Sequence, residues 1–310
     1  MKFALPASLL LCLVSIVDAQ TFKKHAVNVA WTHDSLYAAL QADACIVVGT
    51  VSDIHLDPDQ GDQIRRGRLT LNIELTITGT PRGKSLDLPF SFSEAAFGLD
   101  YIPIWPNVST LPLQQKILCV LVPEATDPAS SAAIGDVASE VVLVDASNEV
   151  INAYKAAAKL VSDTRTSEQG PPLKAALQDK RPLVRKAAVD IITNEMAKSD
   201  AHQAVELLCH ASENVSAWSL NEADLFLGEL VSLATAPTCQ PADMDRIAHQ
   251  LAHLVATGDR VSDLALIRLA ELTNTTTLSK EEAASLQALY QKCVADRPKN
   301  RNPSMPSLPR

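Results

Sequence analysis

Leu69-Thr70-Leu71-Asn72-Ile73-Glu74-Leu75-Thr76-Ile77-Thr78 alternates apolar and polar side chains without a break. Successive side chains of a strand point to opposite faces, so the apolar set lines one face of a sheet and the polar set faces water. Gly79-Thr80-Pro81-Arg82-Gly83 then supplies the turn residues that end the strand. Working outward, four further stretches read as strands: Cys45 to Ile54, Lys84 to Phe92, Lys116 to Val122 and Glu140 to Val144. Five strands packed into about 100 residues predict a small closed or half-closed barrel.

Beyond Asp145 the apolar period changes from two to three-four. Ser147 to Ser162 carries Val150, Ile151, Tyr154, Ala158 and Val161 at helical spacing. Further helices are predicted over Pro171 to Asp179, Pro182 to Met196, Asp200 to His210, Asn221 to Thr235, Pro241 to Ala256, Asp263 to Leu272 and Glu281 to Ala295. Their ends are marked. Ser219-x-x-Glu222 and Ser279-x-x-Glu282 fit the capping box, Pro241 suits a first helical turn, and Gly258 suits a C-terminal stop. The expected class is α+β, with a β-barrel domain over residues 20–145 and a helical domain over residues 146–296.

The termini stand apart from both. Met1-Lys2, the apolar run Leu5 to Val17, and Val17-Asp18-Ala19 before Gln20 have the three-part layout of a secretory signal peptide over residues 1–19. The expected localisation is therefore secreted or periplasmic. At the other end, residues 297–310 carry Pro298, Pro303, Pro306 and Pro309 and read as a flexible tail. No later apolar run reaches the ~20 residues of a membrane span. A net charge of −9 and an aromatic content of 4% argue against a nucleic-acid surface, which needs clustered cations and stacking rings. Cleavage would leave Cys45, Cys119, Cys209, Cys239 and Cys293, none in C-x-x-C spacing, so zinc-knuckle and thioredoxin-like chemistry are not expected.

Three clusters are candidate sites. His249 and His253 stand four apart on a predicted helix and can share a zinc ion, with Asp245 one turn earlier as a third ligand. Gln250 occupies the place where a zincin carries its Glu base, so water activation is not expected. Asp57, Asp59 and Asp62, with Asp53 and His55 beside them, offer hard oxygens for calcium, although Gly61 and Asp62 are out of EF-hand register. A solvated hairpin tip is the plainer reading of that loop. Phe97, Tyr101 and Trp105 lie between the third and fourth strands and mark a binding surface, or else an apolar plug of the barrel. Asn107-Val108-Ser109, Asn214-Val215-Ser216 and Asn274-Thr275-Thr276 fit the glycosylation sequon, relevant only in a eukaryotic secretory pathway. No nucleophile elbow and no phosphate-binding glycine loop is present.

Two local resemblances add to this. Leu177-Gln178-Asp179-Lys180-Arg181-Pro182-Leu183-Val184-Arg185-Lys186-Ala187-Ala188 resembles the turn and second helix of a HEAT-type repeat, which implies an irregular HEAT/armadillo-like helical stack rather than a tandem array, with an unrelated helical bundle as the alternative. Ala42 to Val51, with the strand Leu69 to Thr78 and Gly79, looks like the opening of a netrin/TIMP-like barrel, which implies an OB fold of five strands. The mature chain would begin Gln20-Thr21, lacking the N-terminal cysteine with which such inhibitors hold a protease zinc. An OB-like barrel would set its first and fourth strands side by side, bringing Cys45 and Cys119 into disulfide range, while two buried inert thiols satisfy the same apolar positions.

The function expected is that of a non-enzymatic secreted or periplasmic protein that binds an unidentified protein partner, without a cofactor. The alternative is a metal-binding protein or metal-dependent hydrolase centred on His249 and His253, and zinc and calcium are the two ions in question.

Overall fold

The computed structural model describes residues 36–41, 43–58, 64–81, 83–93, 113–123, 138–164, 170–275 and 279–296. The chain divides into two compact units, Met1–Asp163 and Thr164–Arg310. The signal-like segment, the aromatic stretch around Phe97, Tyr101 and Trp105, and the proline-bearing tail lie outside the described residues, as do Asp59 and Asp62.

The first unit runs α1 (Leu36–Gln41), β1 (Cys45–Leu56), β2 (Ile64–Thr78), β3 (Ser85–Ser93), β4 (Lys116–Pro123), β5 (Ala138–Asp145) and α2 (Asn148–Thr164). The strands form one antiparallel sheet in the order β3-β2-β1-β4-β5. β1 is its centre. Cys45, Ile46, Val47 and Val48 are all fully buried, so both faces of this strand are covered, and a strand covered on both faces reads as a continuous apolar run. Cys45, Val47 and Val51 pack with Leu69, Leu71, Ile117 and Cys119 in one core. On the opposite face Ile46, Val48, Leu118 and Val120 are buried as well. β2 keeps the alternation expected of it: Leu69 and Leu71 are buried whereas Asn72, Glu74 and Thr76 are exposed.

Two glycines fix how closely the chain approaches itself here. A Cβ on Gly49 would lie 2.4 Å from the Asn72 carbonyl oxygen of β2, so only glycine lets the strands meet at this point, where the register shifts. Gly79 adopts φ +78 with its hydrogen-only side over Cys45.

The expectation of a small five-stranded OB-like barrel, closed or half-closed, ahead of the HEAT/armadillo-like helices is corrected at the barrel. β3 and β5 are the two edges of the sheet and are not bonded to each other among the described residues, so the sheet is open. Three register shifts along β1 twist it without closing it. Burial of both faces at β1 and β4 is also unlike a small barrel, whose outward residues meet solvent. The fold is α+β.

The second unit comprises α3 (Gly170–Leu177), α4 (Pro182–Ile191), a π-helical turn (Ile192–Met196), α5 (Ala197–Ser199), α6 (Ala201–Ser212), a 3-10 turn (Val215–Ala217), α7 (Leu220–Thr235), α8 (Pro241–Thr257), α9 (Ser262–Thr273) and α10 (Lys280–Asp296). α8 packs against α6, α7, α9 and α10. The helices do not repeat as equal pairs: α3 has 8 residues, α7 has 16, and α4 passes through the π turn into α5. A tandem array would repeat equivalent units, so the helical unit is irregular.

The caps follow the sequence signals. Ser219 accepts from the Glu222 N–H at 3.2 Å, Asp200 from the Gln203 N–H at 2.9 Å, and Ser147 from the Val150 N–H at 3.2 Å. Gly258 ends α8 in the left-handed region at φ 67. Ser279 and Glu282 complete a reciprocal box, at 3.2 Å and 2.8 Å.

Candidate functional site

α6 and α8 pack side by side, and their first turns are joined by one polar contact. His202, the second residue of α6, is set by the Asp200 cap. Asp243, in the first turn of α8, follows from Pro241 opening that helix. Asp243 is only 2 % exposed, and its Oδ1 lies 2.7 Å from Nδ1 of His202, a ring that is itself exposed. A carboxylate in the first turn is favoured by the positive end of the helix dipole. It holds one imidazole nitrogen of a ring that is otherwise exposed.

Further along α8, Asp245, His249 and His253 are all exposed, as the helical spacing predicts. His249 Nδ1 lies 2.9 Å from the Asp245 carbonyl oxygen and 3.3 Å from its Oδ1. Asp245 therefore addresses the inner nitrogen of the ring. Gln250, beside them in sequence, is half-buried, and its amide nitrogen has no hydrogen-bond partner among the described residues. No group of three or more His, Cys, Asp or Glu side chains gathers at one point among the described residues.

A second polar cluster of the helical unit gathers around Arg185. Arg185 in α4 donates from Nε to Glu222 Oε1 at 2.5 Å and from a terminal nitrogen to the Asp179 carbonyl at 2.5 Å. Its guanidinium lies 4.9 Å from the centre of the Trp218 ring, which meets Phe226 edge-on at 5.0 Å. Burial pushes the Glu222 carboxyl up, and Arg185 pulls it back. This is where the HEAT-like segment puts its Arg: between the Asp179 turn and the start of α7.

Of the loop carboxylates, Asp57 stands 4.0 Å from His55 Nε2, with both side chains exposed. In the β1–β4 pair Cys45 faces Leu121 and Cys119 faces Val47, so the two cysteines are diagonal neighbours in one core. Diagonal neighbours place their Cβ atoms about 7 Å apart, against the ~4 Å of a disulfide. Both thiols are free. Burial raises Cys45 to about 11 and Cys119 higher still. Burial likewise pushes Cys209 and Cys239 up to about 11.

Sequence reading did not find the His202–Asp243 pair, whose members are 41 residues apart. The one available signal was Asp243 itself, an acidic residue on the apolar side of α8 beside Met244, Ile247 and Leu251. Comparison with known proteins finds no family model, no curated protein and no solved structure that matches the chain.

Proposed function

We propose that this chain is a non-enzymatic binding protein, exported to a secreted or periplasmic location, and that it engages a protein partner through the outer face of α6 and α8. The observation that carries the reading is the chemistry of that face. His202 and Glu206 of α6 and Asp245, Arg246, His249 and His253 of α8 are exposed, of both signs, and mounted on two packed helices tied together by the His202–Asp243 contact. Rigid helices bearing mixed charge suit recognition, because oriented charges steer a partner and fix its register. Burial pushes the Cys209 and Cys239 thiols up to about 11, so neither offers a thiolate near neutral pH.

The test is recovery of crosslinked partners from the secreted or periplasmic fraction, with the wild-type chain and a Glu206→Lys/Asp245→Lys variant in parallel. A protein captured by the wild type and lost with the variant is expected. Equal capture by both, or no capture by either, would refute the reading.

A further inference from the structure

We propose that His249 and His253 form a two-imidazole site for a borderline transition-metal dication, of which Zn²⁺ is the probe, on the exposed face of α8. Residues four apart on a helix have Cβ atoms about 5–6 Å apart, so two imidazoles reach one ion at the ~2.0–2.1 Å of a Zn–N bond. Both side chains are exposed, so an ion can approach them from solvent.

The second observation concerns the tautomer. His249 Nδ1 lies 2.9 Å from the Asp245 carbonyl oxygen, and a carbonyl only accepts. Nδ1 must therefore carry the hydrogen, so in the neutral ring that a metal requires the lone pair is on Nε2. Metal-binding imidazoles are held in this way, one nitrogen donating to a carbonyl or carboxylate and the other on the ion. The Asp245 carboxylate is 3.3 Å from the same Nδ1. It backs the ring as an orienting group, and the third-ligand role expected from spacing is not the one this geometry supports. With two protein ligands the ion keeps open positions for water or for a side chain of a partner. Gln250 offers no carboxylate to take a proton from such a water, so the site binds and does not hydrolyse.

Calorimetric titration of the full chain with zinc sulfate at neutral pH decides this, with far-ultraviolet circular dichroism checking that each variant is folded. The wild type is expected to bind one zinc. His249→Ala and His253→Ala are each expected to weaken binding by more than about tenfold, because each removes one arm of a linked pair. Asp245→Ala keeps the carbonyl that orients the ring and is expected to bind nearly as tightly as the wild type. Retained binding in a His249→Ala/His253→Ala double variant, or no binding by the wild type, would overturn the site. A loss in Asp245→Ala as large as that in the histidine variants would overturn the orienting role and make Asp245 a ligand. Zinc titration and partner recovery are read separately, so either can fail alone.

Discussion

Arg185 and Glu222 are hydrogen-bonded at 2.5 Å with both side chains buried, 37 residues apart in sequence. The contact pins the start of α7 to α4. Ser219-x-x-Glu222 has the spacing of a capping box, but only half of one forms: Ser219 caps the Glu222 N–H, while the carboxylate turns to Arg185. Removing Glu222 leaves a desolvated guanidinium without its counter-charge. Glu222→Ala is therefore expected to cost about 3–5 kcal/mol, read as a lower urea midpoint. A joint Arg185→Met/Glu222→Leu replacement, which leaves no lone charge, is expected to be much milder. Equal losses in the two variants would mean that packing rather than charge holds this joint.

The open sheet makes a steric prediction at Gly49. Its added Cβ would meet the Asn72 carbonyl at 2.4 Å, backbone against backbone, with Leu71 Cγ at 2.8 Å. Gly49→Ala forces β1 and β2 apart and is expected to destabilise by at least ~1–3 kcal/mol. Gly83→Ala is the control, because the nearest atom to its new methyl lies 3.7 Å away. Similar thermal midpoints for the two variants would show that the strands yield at Gly49.

What the sequence made legible is what depends on neighbours along the chain. β2 could be read from Leu69 to Thr78 because one face is buried, and α8 from Pro241 to its Gly258 stop because the signals sit at its own ends. Sheet closure was not legible, since it turns on whether β3 meets β5, a long-range pairing that no local pattern encodes. α1 escaped because Leu36–Gln41 is too short to display a period. The π turn after α4 was hidden for another reason. Thr193 Oγ1 donates to the Val189 carbonyl at 3.0 Å and Asn194 Nδ2 to the Asp190 carbonyl at 2.9 Å. Side chains that occupy the carbonyls of the preceding turn compete with the i→i−4 ladder.

Cys45 and Cys119 carry a chemical prediction. Burial places the Cys45 thiol at about 11 and Cys119 above that, so neither supplies thiolate in mildly alkaline solution. Both are expected to resist iodoacetamide in the native chain and to label fully after denaturation. Mass spectrometry of a non-reducing digest reads this directly. A linked 45–119 peptide, which would require the diagonal pair to close by some ångströms, would refute the free-thiol state.

Acid lability should be traceable to Asp179. Its carboxylate accepts from Arg181 Nε and backbone N–H at 2.8 Å each and from a terminal nitrogen at 2.6 Å. Those side-chain bonds, chiefly, hold its carboxyl below the ordinary 3.8. A carboxyl depressed in the folded state adds stability above its ordinary value and loses it as pH falls through the folded one. Asp179→Asn is thus expected to be less stable than the wild type at neutral pH, with the gap narrowing in strong acid. Urea midpoints across that range test it; a gap independent of pH would rule out the ionic contribution.

The division of the chain sets the last prediction. The switch of period near Asp145 suggests a boundary there, yet the compact units meet at Asp163 and Thr164, which assigns α2 to the unit that holds the sheet. α2 has a buried side of Val150, Ile151, Tyr154, Ala157, Leu160 and Val161, and burial pushes the Tyr154 hydroxyl up to about 12. A helix with so apolar a side is not stable by itself in water. The helices from α3 onward pack mainly on close sequence neighbours, as α8 does on α7 and α9, and such local contacts favour autonomous folding. A fragment of residues 164–310 is therefore expected to unfold in one cooperative thermal transition, at the same midpoint as a fragment of residues 146–310. If only the longer fragment melts cooperatively, α2 belongs to the helical core and the boundary lies where the period changes.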